Sequence, residues 1–152
     1  MKKIIIYASI HHKNTKKVAE AIHSEFGGRL IPFSEARKED LAEADIIGIG
    51  SGIYLRNFHK GLINLVKSFS DMEEKKIFLF STAGTKNRLL NKGHRFMKNI
   101  LLDRGGRIIG EFDCLGYDTY GPLKLIGGVN KNRPDEDDLR QAQKFGKKMA
   151  EK

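Results

Sequence analysis

The sequence predicts a doubly wound α/β domain. Three layers, α/β/α, enclose a five-stranded parallel sheet of order 2-1-3-4-5. Two observations predict this. Short apolar, β-branched runs alternate with amphipathic stretches of helical period, and that alternation builds a parallel sheet covered on both faces. The chain holds 152 residues, the size of one domain, and five strands in so short a chain suit the compact 2-1-3-4-5 order. Residues 1–152 are therefore read as one domain.

Ile4-Ile5-Ile6-Tyr7-Ala8 is too short for a helix core and reads as a buried first strand. Thr15 to Phe26 places Val18, Ala19, Ile22 and Phe26 on one helical face, and Gly27-Gly28 stops it. Arg29 to Phe33 is a second strand, at an edge because it contains Pro32. Ser34 is expected to cap a short polar helix running to about Glu43. Asp45 to Gly52 is the third strand, followed by a helical stripe of Phe58, Leu62, Leu65, Val66 and Phe69. Lys76 to Ser81 is the fourth strand. A basic helix from about Leu89 to Asp103 follows, with Leu90, Met97, Ile100 and Leu101 inward. Arg107 to Cys114 is the fifth strand, and residues 115–133 form a long glycine-rich loop. Pro134 opens the last helix, whose first turn Asp135-Glu136-Asp137-Asp138 complements the helix dipole.

Composition narrows the function classes. Cys114 stands alone, so an internal disulfide and a multi-cysteine zinc site are excluded. No apolar run approaches the roughly 18–20 residues of a membrane span. The apolar run at the N-terminus ends by His11, too early for a signal peptide, and the expected location is the cytoplasm. Lys and Arg number 28 against 19 Asp and Glu, a formal charge of +9. A nucleic-acid role would explain that charge, but no helix-turn-helix, zinc finger or RNP aromatic motif accompanies it.

In doubly wound sheets the ligand lies beyond the carboxyl ends of the strands, at the switch point beside strand 1. The loop after the first strand, Ser9-Ile10-His11-His12-Lys13-Asn14-Thr15, is rich in hydroxyl, amide and cationic donors and enters a helix N-terminus. Such a loop favours an anion such as a phosphate. The plain alternative is that Asn14 or Thr15 caps the helix. His11 and His12 lack neighbouring acids or cysteine to complete a metal set, so no metal is expected. After the third strand, Ser51, Gly52, Ile53 and Tyr54 combine a close-approach glycine with an aromatic ring able to stack. After the fourth, Ser81, Thr82, Ala83 and Gly84 are small enough for a flat ligand to lie against their amides. Phosphate donors after one strand and small, partly aromatic loops after two others suit a mononucleotide with a planar ring, above all flavin mononucleotide (FMN).

These motifs resemble the flavodoxin family. Ile5-Ile6-Tyr7-Ala8-Ser9 with Asn14-Thr15-Lys16-Lys17-Val18-Ala19 is similar to its phosphate loop and first helix. Gly50-Ser51-Gly52-Ile53-Tyr54 and Phe80-Ser81-Thr82-Ala83-Gly84 are similar to its two flavin-ring loops. The resemblance implies non-covalent FMN and electron transfer, with no residue acting as a catalytic acid or base. It departs from the family in its phosphate loop, where His12-Lys13 precede Asn14 in place of a glycine, and in lacking a tyrosine or tryptophan after strand 4. Gly50 to Tyr54 with Phe58-His59-Lys60 also resembles the flavodoxin-type protoporphyrinogen oxidases, which makes an FMN-dependent oxidoreductase the alternative.

Basic residues gather between Gly84 and Arg107. Lys86, Arg88, Lys92, Arg95, Lys98, Arg104 and Arg107 oppose only Asp103. The segment is expected to be either a solvated helix face or the docking patch for a redox partner protein that is acidic at the contact.

Overall fold

The computed structural model describes residues 1–85, 92–119 and 121–152. Five parallel strands run in the order β2-β1-β3-β4-β5. They are β1 (Lys3–Ala8), β2 (Arg29–Pro32), β3 (Ile46–Gly52), β4 (Lys76–Ala83) and β5 (Arg107–Leu115). The helices are α1 (Asn14–Phe26), α2 (Lys38–Glu43), α3 (Lys60–Lys67), α4 (Gly93–Leu102) and α5 (Glu136–Ala150). No helix among the described residues is long and apolar enough to cross a membrane.

Side chains alternate across a strand, so each strand feeds two cores. Ile4, Ile6, Ile47, Ile49, Ile77 and Leu79 pack with Leu62 and Val66 of α3 and Met97 and Leu101 of α4. Ile5, Tyr7, Ile46, Phe78 and Phe80 pack with Val18, Ile22 and Phe26 of α1 and Ala142 and Met149 of α5. Gly48 and Gly50 serve this second core by lacking a side chain. A Cβ at either would run into the ring of Phe78 or Phe80 on the neighbouring strand.

Several boundaries differ from the sequence expectation. The first helix starts at Asn14, and neither Asn14 nor Thr15 caps it. Lys13 is the N-cap, in the left-handed region at φ 54°, with no side-chain cap bond. The second helix starts at Lys38 rather than near Ser34. Turns consume residues 32–36, and the Arg37 N–H is held by Asp40 Oδ2 at 2.8 Å. The fourth strand extends to Ala83 because it stays paired with β3 and β5 beyond Ser81. The basic helix starts at Gly93; Leu89 and Leu90 lie outside the described residues. Residues 115–133 are not a plain loop. They contain a short 3₁₀ helix (Gly121–Ile126) and an antiparallel bridge between Asp118 and Val129. The last helix starts at Glu136, two residues after Pro134. Asp135 and Asp138 exchange side-chain-to-backbone hydrogen bonds of 2.9 Å, a capping box.

Candidate functional site

The carboxyl ends of β1, β3 and β4 lie side by side, with Ala8 opposite Ser51 and Ser51 opposite Ser81. This register brings the three loops singled out in the sequence to one edge.

At the β1 loop, His12 and Lys13 are both left-handed, at φ 55° and 54°. A left-handed residue leading into a right-handed helix turns successive N–H groups toward one point, an anion-binding concavity. The first N–H groups of α1 have no intrahelical acceptor. Ser9 Oγ accepts the N–H of Lys16 at 3.2 Å and so satisfies one of them. His11 and Lys13 are exposed. His12 turns toward the segment after β5: its Nε2 hydrogen-bonds Thr119 Oγ1 at 2.8 Å, and its ring lies 4.2 Å from that of Tyr117. The buried Asn14 amide donates to Tyr117 O at 2.8 Å. Thr15 Oγ1 lies 2.8 Å from Thr82 Oγ1, a buried hydroxyl pair that ties the start of α1 to the end of β4.

At the β3 loop, Tyr54 leans back over the strand. Its hydroxyl accepts the N–H of Ile10 at 3.2 Å, and a Cβ on Gly52 would meet that same hydroxyl. Burial pushes the Tyr54 phenol above its ordinary value, against the opposing effect of the Ile10 hydrogen bond. Ile53 donates its N–H to Thr82 O at 3.0 Å. At the β4 loop, Ala83 O accepts the Gly116 N–H at 2.9 Å, and Gly84 O accepts the Asn130 amide at 2.9 Å. A Cβ on Gly84 would run into the Asp118 carboxylate.

The structure thus gathers Ser9, His12, Asn14, Thr15, Gly52, Ile53, Tyr54, Thr82, Ala83 and Gly84 around one edge. It turns two other candidates away. Ser51 and Ser81 have the opposite parity, so their hydroxyls face α3 and α4. Ser51 Oγ accepts the N–H of His59 at 2.9 Å. Ser81 Oγ lies 2.7 Å from His94 Nε2, whose Nδ1 is 3.0 Å from Glu111 Oε2. Burial lowers the His94 imidazole below its ordinary value, and Glu111 only partly opposes this. Its contact with Glu111 is therefore a hydrogen bond of neutral imidazole near neutral pH. Burial alone would raise the Glu111 carboxyl. Its bonds to Lys98 (2.7 Å) and His94 outweigh that and leave it below its ordinary value.

The sequence marks the 115–133 segment, with Tyr117 and Tyr120, as long enough to be functional without giving it a role; it does not single out Asp118, Thr119 or Asn130 as neighbours of the site. The length of the 115–133 segment was the available signal, since long loops in compact domains are commonly functional. Tyr120 of that segment lies outside the described residues.

The basic patch is less continuous than its sequence implies. Lys98 is held by Glu111, and Arg104 donates to the carbonyls of Phe69 and Ile100. Arg107 opens β5, at the opposite edge of the sheet from the site. Lys86 and Arg88 lie outside the described residues. Lys92 and Arg95 remain at the site end of α4.

A five-stranded parallel sheet in this order, with helices on both faces and loops gathered at the ends of β1, β3 and β4, defines a flavodoxin-like α/β protein. A flavodoxin domain model matches residues 2–120, and the chain belongs to the flavodoxin family. It is 42% identical over 149 residues, 98% of each chain, to an uncharacterised protein of Methanocaldococcus jannaschii. Among solved structures its fold is similar to flavodoxin 1 of Bacillus cereus, at 15% identity, TM-score 0.77, covering 99% of this chain and 98% of that one. It is also similar to a flavodoxin from the domain Archaea, at 20% identity, TM-score 0.73, covering 99% of this chain and 97% of that one.

Proposed function

We propose that this chain binds FMN non-covalently and passes electrons between redox partners. The observation that carries the reading is the β1 loop. Left-handed Lys13 leads straight into α1, so free N–H groups converge where the strand order switches. Asn14 and Thr15 are tied to Tyr117 and Thr82, which supports the loop in this shape.

The residues fit the cofactor at both ends. Backbone N–H groups of residues 11–15 would hold the phosphate, with exposed Lys13 adding charge and exposed His11 a ring N–H. Gly52, Tyr54, Thr82, Ala83 and Gly84 would surround the ring, with Tyr54 released from Ile10 to cover one face. The flavin supplies the electron chemistry; the chain binds, orients and shields it. The partner is a redox protein acidic at its contact face, drawn by the excess positive charge. A second reading, an FMN-dependent oxidoreductase of the protoporphyrinogen oxidase type, is favoured by a basic cleft beside Tyr54, described below.

The test is the visible spectrum of the purified protein, repeated after adding FMN. Flavin absorption with quenched fluorescence supports the reading. A colourless protein that leaves added FMN free in solution would overturn it.

A further inference from the structure

A cleft of about 410 Å³ opens between the turn after β3 and the outer face of α4. Leu55, Arg56, Lys92, Arg95, Phe96 and Asn99 line it. Its volume falls within the range of small-ligand sites, roughly 300–1,000 Å³. Three lining side chains are cationic and none is acidic. Arg56, Lys92 and Arg95 make no ion pair among the described residues, whereas Lys98, one turn further along α4, is neutralised by Glu111 at 2.7 Å. The sequence 86–91 contains no carboxylate either. Among the described residues, no carboxylate pairs with this positive charge.

The turn provides an independent observation. Tyr54 and Asn57 exchange both backbone hydrogen bonds, at 2.7 and 3.0 Å, around the pair Leu55-Arg56. Both central residues are left-handed, at φ 48° and 71°. A two-residue turn of this kind prefers Asn-Gly, and each ordinary residue placed there costs roughly 1–2 kcal/mol. Burial does not offset that cost, because Leu55 is 81% exposed. Arg56 O accepts the Lys92 N–H at 3.2 Å, which docks the turn against the start of α4. Strain carried by an exposed leucine and an unpaired arginine points to a contact made by those side chains. Phe96, 41% exposed, supplies an apolar wall opposite.

We infer that this cleft binds a small organic anion, a carboxylate or phosphate carried on an apolar body. The guanidinium groups of Arg56 and Arg95 present the planar donors that bind such groups bidentately. Leu55 and Phe96 cover the body. The cleft adjoins Tyr54 through Leu55, so its occupant sits beside the proposed ring loop. Its purpose as a substrate seat rests on the flavin reading; the binding itself does not.

The test titrates isotope-labelled protein with naphthalene dicarboxylate, first without FMN and then with it, following backbone amide shifts. The neutral naphthalene dimethanol and hexaglutamate are the comparators. The expected result is saturable binding of the dicarboxylate, with shifts confined to residues 55–57 and 92–99 and no response to the diol. Arg56→Gln and Arg95→Gln should each weaken it about tenfold, the usual loss with a charged hydrogen bond. Arg56→Gly should weaken binding by about the same factor while raising Tm, because glycine relaxes the left-handed backbone, and this separates lost recognition from lost folding. Shifts absent from the cleft, or spread evenly over surface lysines, would overturn the inference. Tighter binding of hexaglutamate would also overturn it and reassign the cleft to an acidic protein. The first arm needs no flavin, so failure of FMN to bind leaves it readable.

Discussion

The β1 loop and the β3 loop stand on the same sheet edge but are held in different ways. On the β1 side Ser9 accepts from Lys16 within the loop, and three side-chain hydrogen bonds reach distant segments: His12 to Thr119, Asn14 to Tyr117, and Thr15 to Thr82. On the β3 side the backbone is tied to Thr82 and Lys92, and the one side chain that reaches across to the β1 loop is the Tyr54 phenol, at Ile10. The phosphate end of the proposed site is preorganised and the ring end is latched. Binding energy is therefore expected to come mainly from the first, and adaptation to different rings or redox states from the second.

The sharpest way to break this contrast is at the buried hydroxyl pair. Thr15→Val strands the Thr82 hydroxyl, with a cost of about 1–3 kcal/mol in stability and a matching loss of FMN affinity. The double variant Thr15→Val/Thr82→Val should recover most of the stability, as urea denaturation of all four proteins would show. Strict additivity would mean that the pair does not couple the two loops.

The latch should respond differently. Tyr54→Ala is expected to weaken FMN by up to about tenfold with little change in stability, the usual worth of an aromatic contact. Tyr54→Phe keeps the ring and removes the Ile10 bond, so its affinity should match or exceed that of the parent. Fluorescence titration separates these outcomes, and a loss in Tyr54→Phe as large as in Tyr54→Ala would sink the latch.

Lys13→Gly should trade stability against binding within the β1 loop. It relieves a left-handed residue and should stabilise the protein by about 1 kcal/mol, while removing a cation from the proposed phosphate site. A stabilised variant with undiminished FMN affinity would show that Lys13 serves the backbone alone.

The smallest expected effect is pH-dependent and lies beneath the ring end, where His94 anchors Ser81. The folded imidazole is held below its ordinary value by burial, opposed in part by Glu111. Above about pH 6.5 folded and unfolded chains are both neutral at this residue, so it adds no slope. As pH falls below that, the unfolded chain takes the proton first and stability declines until the folded value is passed. His59 is lowered by burial as well and contributes with the same sign. His94→Gln should therefore flatten, without abolishing, the fall in stability between pH 7 and 5. An unchanged slope would assign it to His59.

The sheet order, both cores and the gathering of three loops were legible because period and alternation encode them. Ile4 to Ala8 could be placed from composition alone. The inward or outward aim of Ser51 and Ser81 was legible in principle from strand parity, yet their chemistry drew them into the site. The caps were not legible: Ser9 rather than Asn14 serves α1, because Asn14 is pulled away by a carbonyl 103 residues on. The contacts of Tyr117, Asp118 and Thr119 depend on how a long segment folds back, and no local pattern reports that. The continuity of the basic patch was not legible for a related reason. Sequence proximity says nothing about which lysine finds Glu111.

The pairing of Ser51 with Ser81 and of Gly52 with Thr82 has a consequence for how such a protein can change over time. One inserted or deleted residue inside β4 would hand Ser81 to the ligand edge and Thr82 to His94, exchanging the two rows at once. The loops carry no such arithmetic, because no neighbouring strand fixes their register. Variation is free to accumulate at the turns, while the strands act as a reading frame that tolerates substitution but not frameshift.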